Sequence, residues 1–282
     1  MPRPTTTRRP LTGALLLTAT LILTGCADPE EGVRLYVFDC GVIGVNDVGP
    51  FSLTGDETPV RDLIVPCYLI EHPAGRMVWD AGLPLDMAGK GRLEEATGYH
   101  EYERSFPDQL ADMKLSPADI DLVAFSHMHY DHVGAANVFT ESKLLIQDTE
   151  YAAAFGENVN PFFVPELYAG IAGNERLLLS GDHDVFGDGS VVIISAPGHT
   201  PGHQALLLRL PNTGNVVLSG DLYHFRASRA LRRAPTFNSD AEETFRSMDK
   251  VEALLVAENA TLWIEHDKAL ADTLKLAPAY YD

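Results

Sequence analysis

The chain has 282 residues, with Lys+Arg 21 against Asp+Glu 40 and a formal net charge of −19. So acidic a surface is a poor match for phosphate backbones and argues against binding nucleic acid. Once a leader is set aside, about 250 residues remain, enough for one α/β domain, and no internal linker interrupts them.

The leader occupies residues 1–25. Arg3, Arg8 and Arg9 form a positive start, and a mostly apolar run of 14 residues follows at 11–24. That run is shorter than the roughly 20 residues of a membrane-spanning helix. Leu23-Thr24-Gly25-Cys26 then reads as a bacterial lipoprotein box, cleaved before Cys26, whose thiol would carry lipid. A plain secretory signal and an uncleaved anchor are the alternatives. Thr7-Arg8-Arg9-Pro10-Leu11 also loosely resembles a twin-arginine export signal. Loss of the three arginines would take the net charge from −19 to −22. Residues 26–32 would be a short polar tether, holding an exported acidic body off anionic headgroups on the periplasmic or cell-surface side.

Beyond the tether, short apolar runs predict strands at 33–40, 63–70, 77–80, 122–126, 143–147, 191–195, 204–210, 216–219 and 261–264. Helical patterns fall at 106–113, 133–139, 149–155 and 241–258. The last is the clearest. Phe245, Met248, Val251, Leu254 and Leu255 recur at helical spacing behind Ser239 or Asp240 as a cap. Cys40 and Cys67 lie on the first two strands, where an exported protein either pairs them or keeps them as buried thiols. Residues 41–62, 157–173 and 222–238 show no regular pattern. The last of these carries Arg226, Arg229, Arg232 and Arg233, which are expected to pair with nearby acids rather than bind a carboxylate or phosphate.

The chemistry concentrates at 126–134, Ser-His-Met-His-Tyr-Asp-His-Val-Gly, which sets His127, His129, Asp131 and His132 within six positions. Imidazoles and a carboxylate so close together suit zinc or a similar metal. In an extended stretch His127, His129 and Asp131 lean one way and His132 diverges, so one loop can serve two metals. His199, Asp221 and His266 follow at intervals of 67, 22 and 45 positions, each after an apolar run of strand type. Loops at strand ends are where a catalytic site is expected. His203 is expected to be structural, and His72, His100 and His183 to be surface or loop residues. No Gly-x-Ser-x-Gly elbow or P-loop is present, so serine-hydrolase and NTPase readings lack support.

On the His-x-His-x-Asp-His run and the later His, Asp and His, the chain from about residue 33 to 282 resembles the metallo-β-lactamase superfamily. The resemblance implies an α/β fold, an αββα sandwich of two mixed sheets flanked by helices. It implies two zinc ions or other divalent metals, the first held by His127, His129 and His199. Asp131, His132 and His266 would hold the second, and Asp221 would bridge them. Asp80, in Val-Trp-Asp-Ala-Gly, would support the ligand loop from behind.

The β-lactam-cleaving members lack a bridging Asp at this point, which disfavours antibiotic hydrolysis. Among members that keep it, the chain is most similar to the N-acyl-homoserine lactonases, through Leu35-Tyr-Val-Phe-Asp-Cys-Gly41, Trp79-Asp-Ala-Gly-Leu-Pro84 and Gly220-Asp-Leu-Tyr-His224. That family implies opening of the lactone ring of N-acyl-homoserine lactones, known as quorum quenching, by a hydroxide shared between the metals, with a carboxylate, Asp131 or Asp221, returning the proton. The well-known lactonases carry a substrate-contacting Tyr three positions after the bridging Asp; here His224 stands three after and Tyr223 two after. Either one is therefore expected to stabilise the developing oxyanion. Residues 41–62 and 157–173 carry enough apolar side chains to line an acyl groove, or to pack locally. A phosphotriesterase or broad esterase with the same centre is the first rival, and a non-catalytic metal-binding surface lipoprotein the second. A homodimer is compatible with the sequence.

Overall fold

The computed structural model describes residues 32–282, together with residues 1, 2 and 4. The leader otherwise, Cys26 and the tether up to residue 31 lie outside the described residues.

In chain order the elements are β1 (Arg34–Val45), β2 (Asp62–His72), β3 (Gly75–Trp79), β4 (Leu93–Glu95), β5 (Gly98–Glu101), α1 (Phe106–Asp112), β6 (Leu122–Ala124), β7 (Lys143–Gln147) and α2 (Asp148–Phe155). Then come β8 (Arg176–Leu179), β9 (His183–Asp184), β10 (Val191–Ser195), β11 (Gln204–Leu210), β12 (Gly214–Leu218), α3 (Arg226–Leu231), α4 (Ala241–Glu258), β13 (Thr261–Trp263), α5 (Lys268–Ala271) and β14 (Tyr280–Tyr281). The larger sheet runs β4-β5-β1-β2-β3-β6-β7-β8, with β14 on β1; the smaller runs β13-β12-β11-β10-β9. Both are mixed, because β3, β6, β7 and β8 are mutually parallel in an otherwise antiparallel sheet, and β12 and β13 are parallel in the other.

Burial shows why these strands stack. Leu35, Val37, Ile70, Met77, Trp79 and Leu145 of one sheet meet Val191, Ile193, Leu206, Leu208, Val216 and Leu218 of the other in a shared core. The opposite face of the larger sheet is covered by Phe106 and Leu110 of α1, and that of the smaller by Met248, Val251 and Leu255 of α4. The expected αββα sandwich is therefore the observed one. Helix α4 matches its predicted span; Asp240 caps it by accepting from the Glu243 N–H at 2.9 Å.

Some elements differ from expectation. The predicted helix at 133–139 shrinks to a single 3₁₀ turn, Ala136–Val138. The Gly134 and Ala135 N–H groups donate instead to Gly82 O and Ala81 O, which ties the segment to the turn after β3. β1 runs five residues past its expected end at Cys40, through a register shift between Asp39 and Val42, and there pairs with β5. Cys40 and Cys67 form a disulfide between β1 and β2. His100 is buried on β5 against the Tyr130 hydroxyl at 2.9 Å, rather than lying on the surface. Arg226, Arg229, Arg232 and Arg233 pair with Asp267, Glu252, Asp249 and Glu57.

Two consequences of topology position the site. β3, β6, β10, β12 and β13 end at one pole of the sandwich, where their following loops converge. β1 runs parallel to β3, its Arg34 level with Glu71 and Arg76, so the chain enters at the opposite pole. β14 returns there, with Tyr281 beside Leu35. Among the described residues, no helix is long and apolar enough to cross a membrane.

Candidate metal centre

The loop after β6 delivers the dense run to the converging pole. Its backbone is fixed by the turn after β3. Asp80 takes a left-handed conformation, φ 54°, which a short polar side chain tolerates. Its Oδ1 then accepts the Ser126 N–H at 2.6 Å and its Oδ2 lies 3.1 Å from His132 Nδ1. The Ala81 N–H donates to His132 O at 2.7 Å. The smaller sheet delivers the remaining residues: His199 after β10, Asp221 after β12 and His266 after β13.

All seven candidate ligands come together in two groups. In the first, His127 Nε2, His129 Nδ1 and His199 Nε2 lie 2.7–3.1 Å from one another, with Asp221 beside them. Asp131, His132 and His266 form the second. Asp221 faces both. Its Oδ2 is 3.7 Å from His127 and 3.3 Å from His199, and its Oδ1 is 3.3 Å from His132 and 2.9 Å from His266.

Asp221 is itself held by its neighbours. A side chain at Gly220, φ 49°, would strike Ser126 and His203, so only glycine fits before it. His203 donates from Nδ1 to Ala196 O and accepts the Asp221 N–H on Nε2 at 2.9 Å. Burial pushes the His203 pKa down to about 3, so it stays neutral and can accept.

The outward nitrogens decide what the inward ones can do. His199 Nδ1 meets Asn238 Oδ1 at 2.9 Å, His266 Nδ1 meets Ile64 O at 2.7 Å and His132 Nδ1 meets Asp80. Each partner only accepts there, so each Nδ1 carries a proton and Nε2 is the nitrogen left to face inward, as a lone pair once any proton on it is displaced. His132 Nε2 and Asp221 Oδ1 are buried with no hydrogen-bond partner. Imidazole nitrogens and carboxylate oxygens that converge, two of them with no hydrogen-bond partner, are what a cation requires. The soft-to-borderline nitrogens with carboxylate oxygens fit divalent zinc or a similar ion. Such outer partners orient ligand rings.

Charge differs between the groups. Burial, then the neighbouring imidazoles, holds His127 and His129 well below the usual histidine range. At His132 and His266 burial acts the same way but is outweighed by carboxylates, Asp221 foremost, and His266 rises to about 9. Asp221, despite burial, is held well below the usual carboxylate range by His224, His266, His132 and His127.

The two candidates for oxyanion stabilisation separate. His224 is buried at the centre, its Nε2 3.0 Å from Asp221 Oδ2 and its Nδ1 unpartnered. Tyr223 points the other way. It packs with the α4 core, and its hydroxyl donates to Glu252 Oε1 at 3.0 Å. The shifted-register role expected for Tyr223 is therefore corrected: consecutive residues leaving an extended stretch face opposite sides, and the tyrosine takes the far one.

Sequence reasoning missed Ser126, whose Oγ lies 3.1 and 3.0 Å from His127 Nδ1 and His132 Nδ1. It also missed Asn238 and Glu150. Ser126 precedes the dense run directly and was the legible one; nothing in the sequence marks the other two.

The aromatic side chains of the irregular segments edge the centre. Phe51 lies 5.0 Å from His224, Phe163 5.5 Å from His129 and Phe237 5.9 Å from His199, ring centre to ring centre. Phe162, 59% exposed, lies 6.5 Å from His129.

Known proteins resemble this chain along most of its length. It is 29% identical over 268 residues to the N-acyl homoserine lactonase AttM of Rhizobium radiobacter, an alignment covering 88% of this chain and 98% of that protein. An N-acyl homoserine lactone hydrolase, solved with the product N-hexanoyl-L-homoserine at its catalytic metal centre, shares the fold with a TM-score of 0.74. It is 24% identical, over 88% of this chain and 98% of that one. AidC, a dizinc quorum-quenching lactonase solved with a product, shares it at a TM-score of 0.63 and 16% identity, over 89% and 94%. Residues 60–258 match the profile of the metallo-beta-lactamase superfamily. That span includes Asp80 and all the ligand candidates but His266, and the chain belongs to the metallo-beta-lactamase superfamily.

Proposed function

We propose that this chain is a dinuclear metal-dependent hydrolase that opens the lactone ring of N-acyl-homoserine lactones. The observation that carries the reading is Asp221, which offers one oxygen to each of two histidine-rich groups. The AttM lactonase, similar over nearly its whole length, supports the substrate class.

Two divalent cations, zinc by the donor set and by the dizinc neighbour, would polarise the ester carbonyl and bring a water pKa to about 7. His127, His129 and His199 would hold the first, and Asp131, His132 and His266 the second, with Asp221 between. The chain's own residues do the rest. Asp80, Asn238 and the Ile64 carbonyl keep the imidazoles turned inward. His224, standing where the well-known lactonases carry a tyrosine, places Nε2 3.0 Å from Asp221 Oδ2; with that N–H given to the carboxylate its Nδ1 has no proton to donate, so its role is to hold Asp221. Asp131 or Asp221, the carboxylates of the two groups, would return a proton to the leaving alkoxide. Phe51, Phe162, Phe163 and Phe237 suit an acyl chain better than a polar one.

The same centre also suits a phosphotriester, and the sequence feature behind this second reading is His224, which stands three positions after Asp221 where the well-known lactonases carry a tyrosine. Export to the periplasmic or cell-surface side, on a lipid at Cys26, is supported by the leader and tether at 1–32 and by the Cys40–Cys67 disulfide, a bond that persists in oxidising compartments.

The test is proton release by zinc-loaded protein on N-acyl-homoserine lactones of graded chain length, beside a plain γ-lactone and an aryl phosphotriester. Chelator-sensitive opening that depends on chain length is expected. Turnover of the phosphotriester alone would move the chain to the second reading. No turnover of any of them would leave a metal-binding protein.

A further inference from the structure

Glu150 is a buried acid that the proposed chemistry does not use. It is 1% exposed, in the first turn of α2 on the larger sheet's side of the molecule. Its two oxygens accept from two different loops. Oε1 takes the Met128 N–H at 2.9 Å, and Oε2 takes the Gly202 N–H at 2.8 Å. Met128 stands between His127 and His129, on the loop after β6 of the larger sheet. Gly202 stands three residues after His199, on the loop between β10 and β11 of the smaller one.

A second observation is independent of those bonds. A side chain at 202 would lie 2.4 Å from Glu150 N and 2.5 Å from its Cβ, so the His199 loop is pressed against the start of α2. The Thr149 hydroxyl donates to Pro201 O at 3.0 Å and reinforces the contact. On its other side the same loop is fixed by α4's entry: the Asp240 N–H donates to Gly198 O at 2.9 Å and the Ser239 N–H to His199 O at 3.0 Å.

A carboxylate taken out of water at this depth is strongly unfavourable unless charge or hydrogen bonds offset it. Fold alone does not call for one here, since an apolar side chain of similar volume fills such a place more cheaply. What the carboxylate adds is a rigid two-pronged link. Its oxygens fix the separation of the two backbone segments that carry all three imidazoles of the first group.

We propose that Glu150 is a positioning residue, setting the spacing of His127 and His129 against His199 and so the geometry and affinity of the first metal position. The proposal rests on the dinuclear reading above. Asp131, His132 and His266 share no hydrogen bond with it, so the second position is expected to be insensitive.

The experiment titrates metal-free protein with Co²⁺ and follows its visible absorption, which reports ligand number and geometry without turnover. Wild type is expected to bind two equivalents. Glu150→Gln keeps the volume but turns an N–H₂ toward one backbone donor. Glu150→Met removes both acceptors while favouring burial, so that a folded variant is available whichever way Glu150→Gln behaves. Circular dichroism checks the fold of each. In both variants one equivalent is expected to weaken about 10–100-fold with an altered spectrum, and the other to be unchanged. A folded Glu150→Met protein that binds two equivalents with the wild-type spectrum would overturn the proposal. Wild type binding fewer than two equivalents would instead sink the dinuclear reading.

Discussion

The two ligand groups are built on different physical terms. The first gathers three imidazoles, two from one sheet and one from the other, held by backbone contacts on Glu150 and by Asn238. The second gathers two imidazoles among carboxylates, with Asp131 in front and Asp80 behind. In the first, burial keeps protons off His127 and His129; in the second, carboxylates pair with the imidazoles. The difference teaches that a site for two like cations need not be symmetric, and that each half fails in its own way.

Removing what the halves share should have the largest effect. Asp221→Asn is expected to cut lactone kcat/KM about a thousandfold or more, since several kcal/mol of transition-state stabilisation pass through the paired metals. Metal analysis beside the kinetics checks whether both positions weaken. Damage to one half should come next. Asp131→Asn or His132→Ala is expected to lower turnover about a hundredfold or more while one metal stays bound and the domain stays folded. Near-normal turnover in metal-verified Asp131→Asn protein would sink that role. Asp80→Asn, a step further out, should cost about 10–100-fold in metal affinity at the second position, read by competition with a chelator.

Acid should separate the halves without mutation. Metal binding at His132 and His266 displaces protons that their carboxylates attract, and His266 stands near 9, whereas burial keeps His127 and His129 poor proton acceptors. As pH falls from 8, the second position is expected to empty before the first, in metal stoichiometry measured after dialysis at each pH. Simultaneous loss would erase the contrast.

The smallest effect should come from Tyr223. Tyr223→Phe removes one hydrogen bond to Glu252, about 1 kcal/mol of stability, and should leave kcat/KM within about twofold. His224→Ala, one residue on, should lower it measurably.

How much of this was legible follows from where the information lies. His127, His129, Asp131 and His132 stand within one short run, so chemistry and spacing coincide in the sequence. His199, Asp221 and His266 were legible because each follows an apolar strand. Asp80 needed the family resemblance. Glu150 and Asn238 were not legible, because their partners are a backbone N–H and an imidazole more than twenty positions away. The choice between Tyr223 and His224 turned on the conformation of the 3₁₀ turn Gly220–Leu222, a matter of one residue's direction. The β4–β5 hairpin was hidden because Leu93–Glu95 is polar and largely exposed at the sheet edge, and Gly98–Glu101 beside it is short and lacks the apolar alternation that marks a strand.

The described chain enters and leaves beside Leu35 and Tyr281, at the pole opposite the metal ligands. Anything attached through either end, whether a lipid surface, a resin or a fused domain, therefore joins the end of the sandwich away from the metal ligands. The ligand pole then points away from the attachment, which leaves that pole clear for a solute. A support coupled through residue 32 or 282 is in this sense a pedestal.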